Sequence, residues 1–101
     1  MSNHIIESVK FRLEDGITKD EFIASVPGST AFLESAPGYV ARRLSCGEDG
    51  TWIEHVEWED MKTAKDAADR IMSDERTAPF VRCIHGPSIE MHHTELLLKL
   101  N

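Results

Sequence analysis

Two adjacent histidines near the end of the chain, His92 and His93, can exchange protons near neutral pH. They fall in a predicted strand, where neighbouring side chains point to opposite faces, so they cannot bind one metal ion together unless the strand bulges. His93 shares its face with Ile89, Met91 and Glu95. If this face borders a pocket, we expect the His93 imidazole to act as a general acid or base. The alternative is a hydrogen-bonded structural histidine near a subunit interface.

Two glutamates, Glu7 and Glu54, interrupt the apolar faces of two other predicted strands. If those strands are neighbours in one sheet, the two carboxylates lie close together beneath the helices. A buried carboxylate has a raised pKa and can serve as a base, and either glutamate could orient His93. We predict all three as catalytic residues. The alternative for the glutamates is a pair at the rim of the sheet, solvated or bound to Arg42 or Arg43.

Aromatic side chains accompany these glutamates. Trp52 and Trp58 lie on the same strand face as Glu54, and Phe22 lies in the first predicted helix. Together with Met91, these aromatic residues suit the walls of a pocket for a flat apolar ligand. The alternative is core packing, because aromatic side chains are often buried for that reason alone.

No motif specifies a cofactor or a metal. The sequence lacks a glycine-rich phosphate loop, a dinucleotide fingerprint and a GxSxG elbow, so neither flavin nor nicotinamide binding has motif support. No histidine pattern is as specific as HExxH, and we predict no metal site. A site built from His55, His85 or His92 with Glu90 is the alternative.

The elements that must position these residues follow from the periodicity of the chain. Four segments have the character of strands: His4–Leu13, Tyr39–Cys46, Thr51–Glu59 and Ile89–Leu100. The short link rich in Gly and Asp between the second and third predicts an antiparallel hairpin.

Two helices are predicted between the strands. Thr18 and Glu21 form a capping box at the start of the first helix, and Pro27 within it predicts a kink or two helical pieces. Asp60 is the expected N-cap of the second helix, which carries an alanine-rich apolar stripe.

The order of elements is β-α-β-β-α-β. This order predicts an α+β, ferredoxin-like fold, in which a four-stranded antiparallel sheet carries its helices on one face. Ile6, Ile53 and the leucines at 96–98 place apolar groups on the other face and at the chain end. Because an exposed apolar patch usually marks an interface, we expect a homodimer that closes sheet against sheet, with the last strand reaching across.

Length and charge exclude several classes of function. The 101 residues suit a single domain spanning 1–101, and no run approaches the ~20 apolar residues of a membrane span. The net charge is −7 and no basic cluster is present, which argues against nucleic acid or an anionic membrane as a partner. Without a signal peptide the expected location is cytoplasmic, where Cys46 and Cys83 would be free thiols.

Several segments carry a resemblance to a known family. The stretches APGYVARRL, EDGTWIEHVEWED, AKDAAD, APFVRCI and SIEMHH resemble the antibiotic biosynthesis monooxygenase-like family of dimeric α+β barrels. The resemblance implies a homodimer with a small-molecule pocket between the sheet and the helices of each subunit. It also implies a cofactor-independent monooxygenase, or a related oxidoreductase, acting on a small flat apolar molecule. The alternative is a non-catalytic small-molecule-binding or regulatory dimer.

The haem-degrading members of that family rely on a set of Asn, Trp and His residues. The corresponding residue types in this chain are Asn3, Trp58, His85 and His93, which do not align with the set in an unambiguous way. The resemblance therefore implies no cofactor for the oxygenase reading, with haem as the alternative.

Overall fold

The computed structural model describes residues 3–100 and contains one four-stranded antiparallel sheet. Its strands are β1 (Ile5–Phe11), β2 (Tyr39–Cys46), β3 (Trp52–Trp58) and β4 (Glu90–Glu95). They lie in the order β2-β3-β1-β4, so β1 and β3 are the central neighbours. The helices are α1 (Lys19–Ser35), α2 (Met61–Ile71) and the short α3 (Ala78–Arg82), with 3-10 turns at Glu75–Thr77 and Gly86–Ser88. The predicted ferredoxin-like fold is confirmed.

The caps of the two long helices are those that the sequence predicts. Thr18 accepts a hydrogen bond from the Glu21 amide at 3.1 Å, and the Glu21 carboxylate accepts one from the Thr18 amide at 3.2 Å. Asp60 caps α2 by accepting from the Thr63 amide at 2.8 Å. These bonds use amides that have no partner within the first turn of a helix.

Helix α1 is continuous, so the two-piece interpretation of Pro27 is wrong. The neighbouring Gly28 serves a close approach between segments instead. A β-carbon at Gly28 would lie 2.1 Å from the carbonyl oxygen of Arg76. Glycine at this position therefore lets the turn before α3 pack directly against α1.

The inner face of the sheet, which the helices cover, holds the core in two clusters. Val56 and Trp58 of β3 pack with Phe32 and Leu33 of α1 and with the buried alanines of α2. Phe11 and Trp52 pack with Phe22 and Phe80 at the other end of the sheet. The small side chains Ala64 and Ala67 allow α2 to approach the sheet closely.

The last strand is shorter than predicted. Strand β4 ends at Glu95, and the last main-chain bond along this edge runs from the Leu96 amide to the His4 carbonyl at 2.8 Å. Residues 96–100 follow this bond as a tail that belongs to no helix or strand, so the predicted second half of the strand is not formed. Within residues 3–100, no helix has the length and apolar character needed to cross a membrane.

Candidate functional site

A cavity of about 290 Å³ lies between the inner face of the sheet and the helices. The helices contribute only apolar side chains to it: Phe32, Leu33, Ala67, Ala68, Ile71, Phe80 and Val81. The sheet contributes two charged side chains, Glu7 and Glu54, beside Val9, Phe11, Trp58 and Met91. The exposed residues Met72 and Ile89 also border the cavity and mark its open side. The site is thus an apolar pocket with two carboxylates on its floor.

Glu7 and His93 form a direct pair on this floor. They are opposite each other in the β1–β4 register, and the distance between Glu7 Oε2 and His93 Nε2 is 3.0 Å. Their side chains are only 10% and 19% exposed. Burial raises the pKa of Glu7 above its ordinary value, and the hydrogen bond and charge of His93 offset part of this rise. When Glu7 is ionised, the Nε2–H of His93 donates to it.

The structure brings His93 to Glu7 but not to the cavity itself. Period-2 alternation placed His93 on the inner face of β4 and His92 on the outer face, and this register is observed. Glu7 borders the cavity, whereas His93 lies behind it and does not line the wall. Met91, two residues earlier on the same face of β4, lines the cavity, and His93 reaches it only through its bond to Glu7.

Glu54 has a different partner. Nε and Nη2 of Arg42 both donate to Glu54 Oε2, at 2.9 and 2.6 Å. Two charge-assisted hydrogen bonds thus commit the Glu54 carboxylate to Arg42, so the geometry favours Glu7 over Glu54 as the residue that acts on a ligand. Of the two sequence interpretations of Glu54, the pairing with Arg42 describes what is observed, although the pair is buried and not at the rim.

Trp58 presents an unpaired donor beside the cavity. Its side chain is fully buried, and its Nε1–H has no hydrogen-bond partner among residues 3–100. The indole lies near enough to Glu7 to contribute slightly to lowering the pKa of that carboxyl, although the geometry falls short of a hydrogen bond. A buried donor without a partner is energetically costly, so this N–H is available to an acceptor atom of a ligand.

Two of the predicted pocket residues belong to the core and not to the cavity wall. Trp52 and Phe22 are buried, with ring centroids 4.8 Å apart, and Phe22 stacks on Phe80 at 5.0 Å. This aromatic cluster fills its end of the interface between sheet and helices, so neither residue lines the cavity. Trp58 and Met91 line the cavity, and their contact with a ligand stays a prediction.

The residues that the haem alternative would use do not meet at one site. Asn3 is exposed, and His85 Nδ1 lies 3.3 Å from Glu14 Oε1 on the surface. His93 directs Nε2 at Glu7, so none of the described histidines offers an axial nitrogen to the cavity. The donor set therefore does not fit haem. Residues 3–100 also contain no group of three or more His, Cys, Asp or Glu side chains that could hold a metal ion.

The chain was compared with protein-family models, curated protein sequences and solved structures. No protein-family model and no curated protein sequence matches the chain. Among solved structures, a variant of SnoaB, a cofactor-independent oxygenase from Streptomyces nogalater, has a TM-score of 0.76 at 15% identity, covering 98% of both chains. The monooxygenase ActVA-Orf6 of Streptomyces coelicolor, solved in complex with the ligand nanaomycin D, has a TM-score of 0.71 at 14% identity, covering 98% of this chain and 92% of its own.

A third neighbour carries no assigned activity. A dimeric ferredoxin-like protein of unknown function from Thermobifida fusca has a TM-score of 0.71 at 10% identity, covering 95% of this chain and 93% of its own. The structural neighbours are thus antibiotic biosynthesis monooxygenase-like and ferredoxin-like proteins, and the resemblance carried by the sequence is confirmed. At such identities the likeness establishes the fold, and the activity must be argued from the site.

Proposed function

We propose that the protein is a cofactor-independent monooxygenase acting on a small flat apolar molecule, with Glu7 as its proton acceptor. The observation that carries the proposal is the buried Glu7–His93 pair on the floor of an otherwise apolar cavity. A raised pKa makes Glu7 a stronger base than an ordinary glutamate. His93, bound behind it, orients the carboxylate and keeps it hydrogen-bonded through the proton transfer.

The reaction needs only O2 as a co-reactant. Glu7 takes a proton from a phenolic O–H group of the substrate, and the anion spreads its charge onto a C–H carbon of the ring. Transfer of an electron to O2 and combination of the two radicals form a C–O bond at that carbon, and the returned proton completes a hydroperoxide. Cleavage of its O–O bond, with loss of the hydrogen on that carbon as water, leaves a second carbonyl group. The balance is phenol + O2 → quinone + H2O, and the apolar walls exclude bulk water from the intermediates.

The volume of the cavity supports a ligand of modest size. An apolar cavity of roughly 150 Å³ accepts one benzene ring. The cavity of about 290 Å³ is twice as large, which corresponds to about two fused rings. Its apolar walls select a ring system, and the Trp58 N–H offers a bond to an oxygen at the ring edge. Quinols and polyphenols with two rings combine these properties.

We also propose that the protein acts as a homodimer. The outer face of the sheet, which the helices leave uncovered, exposes Ile53, and the adjoining tail exposes Leu97, Leu98 and Leu100. A second copy that lays its own outer face here would bury these groups. Light scattering at micromolar concentration should give twice the chain mass, and a stable monomer would refute the dimer. The cytoplasmic location stays a prediction, with which the free thiols of Cys46 and Cys83 are consistent.

Oxygen uptake tests the enzymatic proposal. The protein is screened against quinols and polyphenols of one to three rings, with a haem titration alongside. We expect oxygen consumption with at least one two-ring compound, abolished in Glu7→Gln and unchanged in His92→Ala, whose side chain faces outward. Ring compounds that bind without any oxygen uptake would favour the non-catalytic binding dimer. Saturable haem binding would favour the haem alternative.

A further inference from the structure

A single guanidinium connects the floor of the cavity to two helices. Arg42 lies on β2 with its side chain only 9% exposed. Besides its two bonds to Glu54, its Nη1 donates to Ser29 Oγ at 2.9 Å and to Thr30 Oγ1 at 3.2 Å on α1. The guanidinium carbon also lies 5.2 Å from the ring centroid of Phe80 on α3. Its position is therefore set from all sides.

Glu54, the carboxylate that Arg42 holds, is a close neighbour of Glu7. Glu7 pairs with Val56 across the β1–β3 ladder and Glu54 pairs with Val9, so the two glutamates are diagonal neighbours on the inner face. Such neighbours lie roughly 7–8 Å apart. The negative charge of Glu54 is one of the causes that raise the pKa of Glu7. Without compensation, this charge would oppose ionisation of Glu7 much more strongly.

The charged groups around Glu7 are few. From β4 it faces His93, and from β3 it faces Glu54 and the indole N–H of Trp58. The side chains that α1, α2 and α3 turn toward the cavity are apolar. Within the described residues, the only cation that compensates Glu54 is therefore Arg42, on β2.

We propose that Arg42 is a positioning residue for the proton-accepting pair. It holds the Glu54 carboxylate toward α1 and α3, offsets part of the charge of that carboxylate, and leaves Glu7 to interact with His93. The proposal rests on the proposed role of Glu7, but it concerns a property of the free protein that can be measured without a substrate.

This role is tested by the pH titration of the Glu7 carboxyl, followed by carbon-13 NMR. The signal of Glu7 is assigned by its loss in Glu7→Gln. Arg42→Met leaves Glu54 unopposed and should move the titration of Glu7 up by about one pH unit, from a like charge at this separation. Glu54→Gln leaves Arg42 unopposed and should move it down by a similar amount. The double variant removes both charges and should titrate near the wild type. The matched control is Arg43→Met. Arg43 follows Arg42 along β2 but lies on the outer face of the sheet, so its replacement should not move the titration of Glu7.

The signs of these shifts decide between positioning and a merely structural role. Loss of packing alone would weaken the fold in both single variants without moving the titration in opposite directions. If Arg42→Met does not fold, Glu54→Gln and the double variant still provide the test. An unchanged or upward titration in folded Glu54→Gln would overturn the proposal. If the shifts occur but no substrate consumes oxygen, the positioning role stands and the proposed function falls.

Discussion

Replacing Glu7 by glutamine distinguishes a catalytic role of its carboxylate from a structural one. Glutamine keeps the shape of the side chain and a hydrogen bond to His93, but it cannot accept a proton. If Glu7 is the base, turnover should fall by about 10²–10⁴, the usual contribution of general base catalysis. The same change should not weaken the fold, because the carboxylate that it removes is held in an unfavourable environment.

The stability effect has a definite sign and pH window. Burial, the largest cause, raises the pKa of Glu7 in the folded protein, so the folded state binds its proton more tightly than the unfolded state does. The stability that this proton contributes is therefore fully present below the unfolded pKa of about 4.5. It is lost as the pH rises through the pKa of Glu7 in the folded protein. Each unit of the rise corresponds to about 1.4 kcal/mol. Glu7→Gln removes this loss, so relative to the wild type it should gain stability between pH 4 and pH 8.

Urea unfolding at several pH values and oxygen uptake at neutral pH measure the two effects. We expect an inactive variant that is as stable as the wild type at pH 4 and more stable at pH 8. Full activity in Glu7→Gln would refute the catalytic role. A loss of about 3 kcal/mol or more at pH 8 would show that the carboxylate anchors the fold, which contradicts the reasoning from its raised pKa.

Three further changes test other parts of the structure. His93→Ala should leave the fold nearly intact and lower turnover by about 10²–10⁴, measured by oxygen uptake, because Glu7 loses its partner. Ala68→Phe should fill the cavity and abolish ligand binding, measured by calorimetry, at about 1–3 kcal/mol of stability. Hydrogen bonds from His4 and then Lys99 lower the pKa of Glu57, so the stabilisation they give is present above the unfolded value of 4.5 and is lost as the pH falls through the folded value. Glu57→Gln should therefore lower the free energy of unfolding at pH 7, measured with urea, and lower it less as the pH falls toward that value.

The positions of the site residues could be predicted because strand alternation leaves little freedom. A slip of one residue would turn His93 outward and His92 inward, against the apolar pattern of β1 and β3. The neighbouring positions of β1 and β3, and with them the approach of Glu7 and Glu54, follow from the β-α-β-β-α-β order alone. Caps at Thr18 and Asp60 are local patterns, and they too were predictable.

The parts that the sequence could not predict depend on contacts between distant segments. Trp52 and Trp58 share one face of β3, but only the packing of Phe22 decides that Trp52 is core while Trp58 borders a cavity. Glu57 alternates outward, yet it is buried because His4 and Lys99 cover it, with distances of 2.6 and 2.9 Å. Nothing in its local pattern distinguishes it from a solvated glutamate.

The two inner carboxylates differ in what their burial achieves. Glu54 and Arg42 link β2, β3 and two helices, and breaking such a buried pair by removing one partner costs about 3–5 kcal/mol. The contacts of Glu7 instead lie on the sheet itself, so its pair with His93 ties no helix to the fold. Replacing a buried ionic pair such as Glu7 and His93 by apolar residues of similar volume often leaves the stability of a protein unchanged or raises it. A buried acid with a raised pKa, open to a cavity and without a cross-linking role, therefore supports the proposal that Glu7 serves chemistry in that cavity.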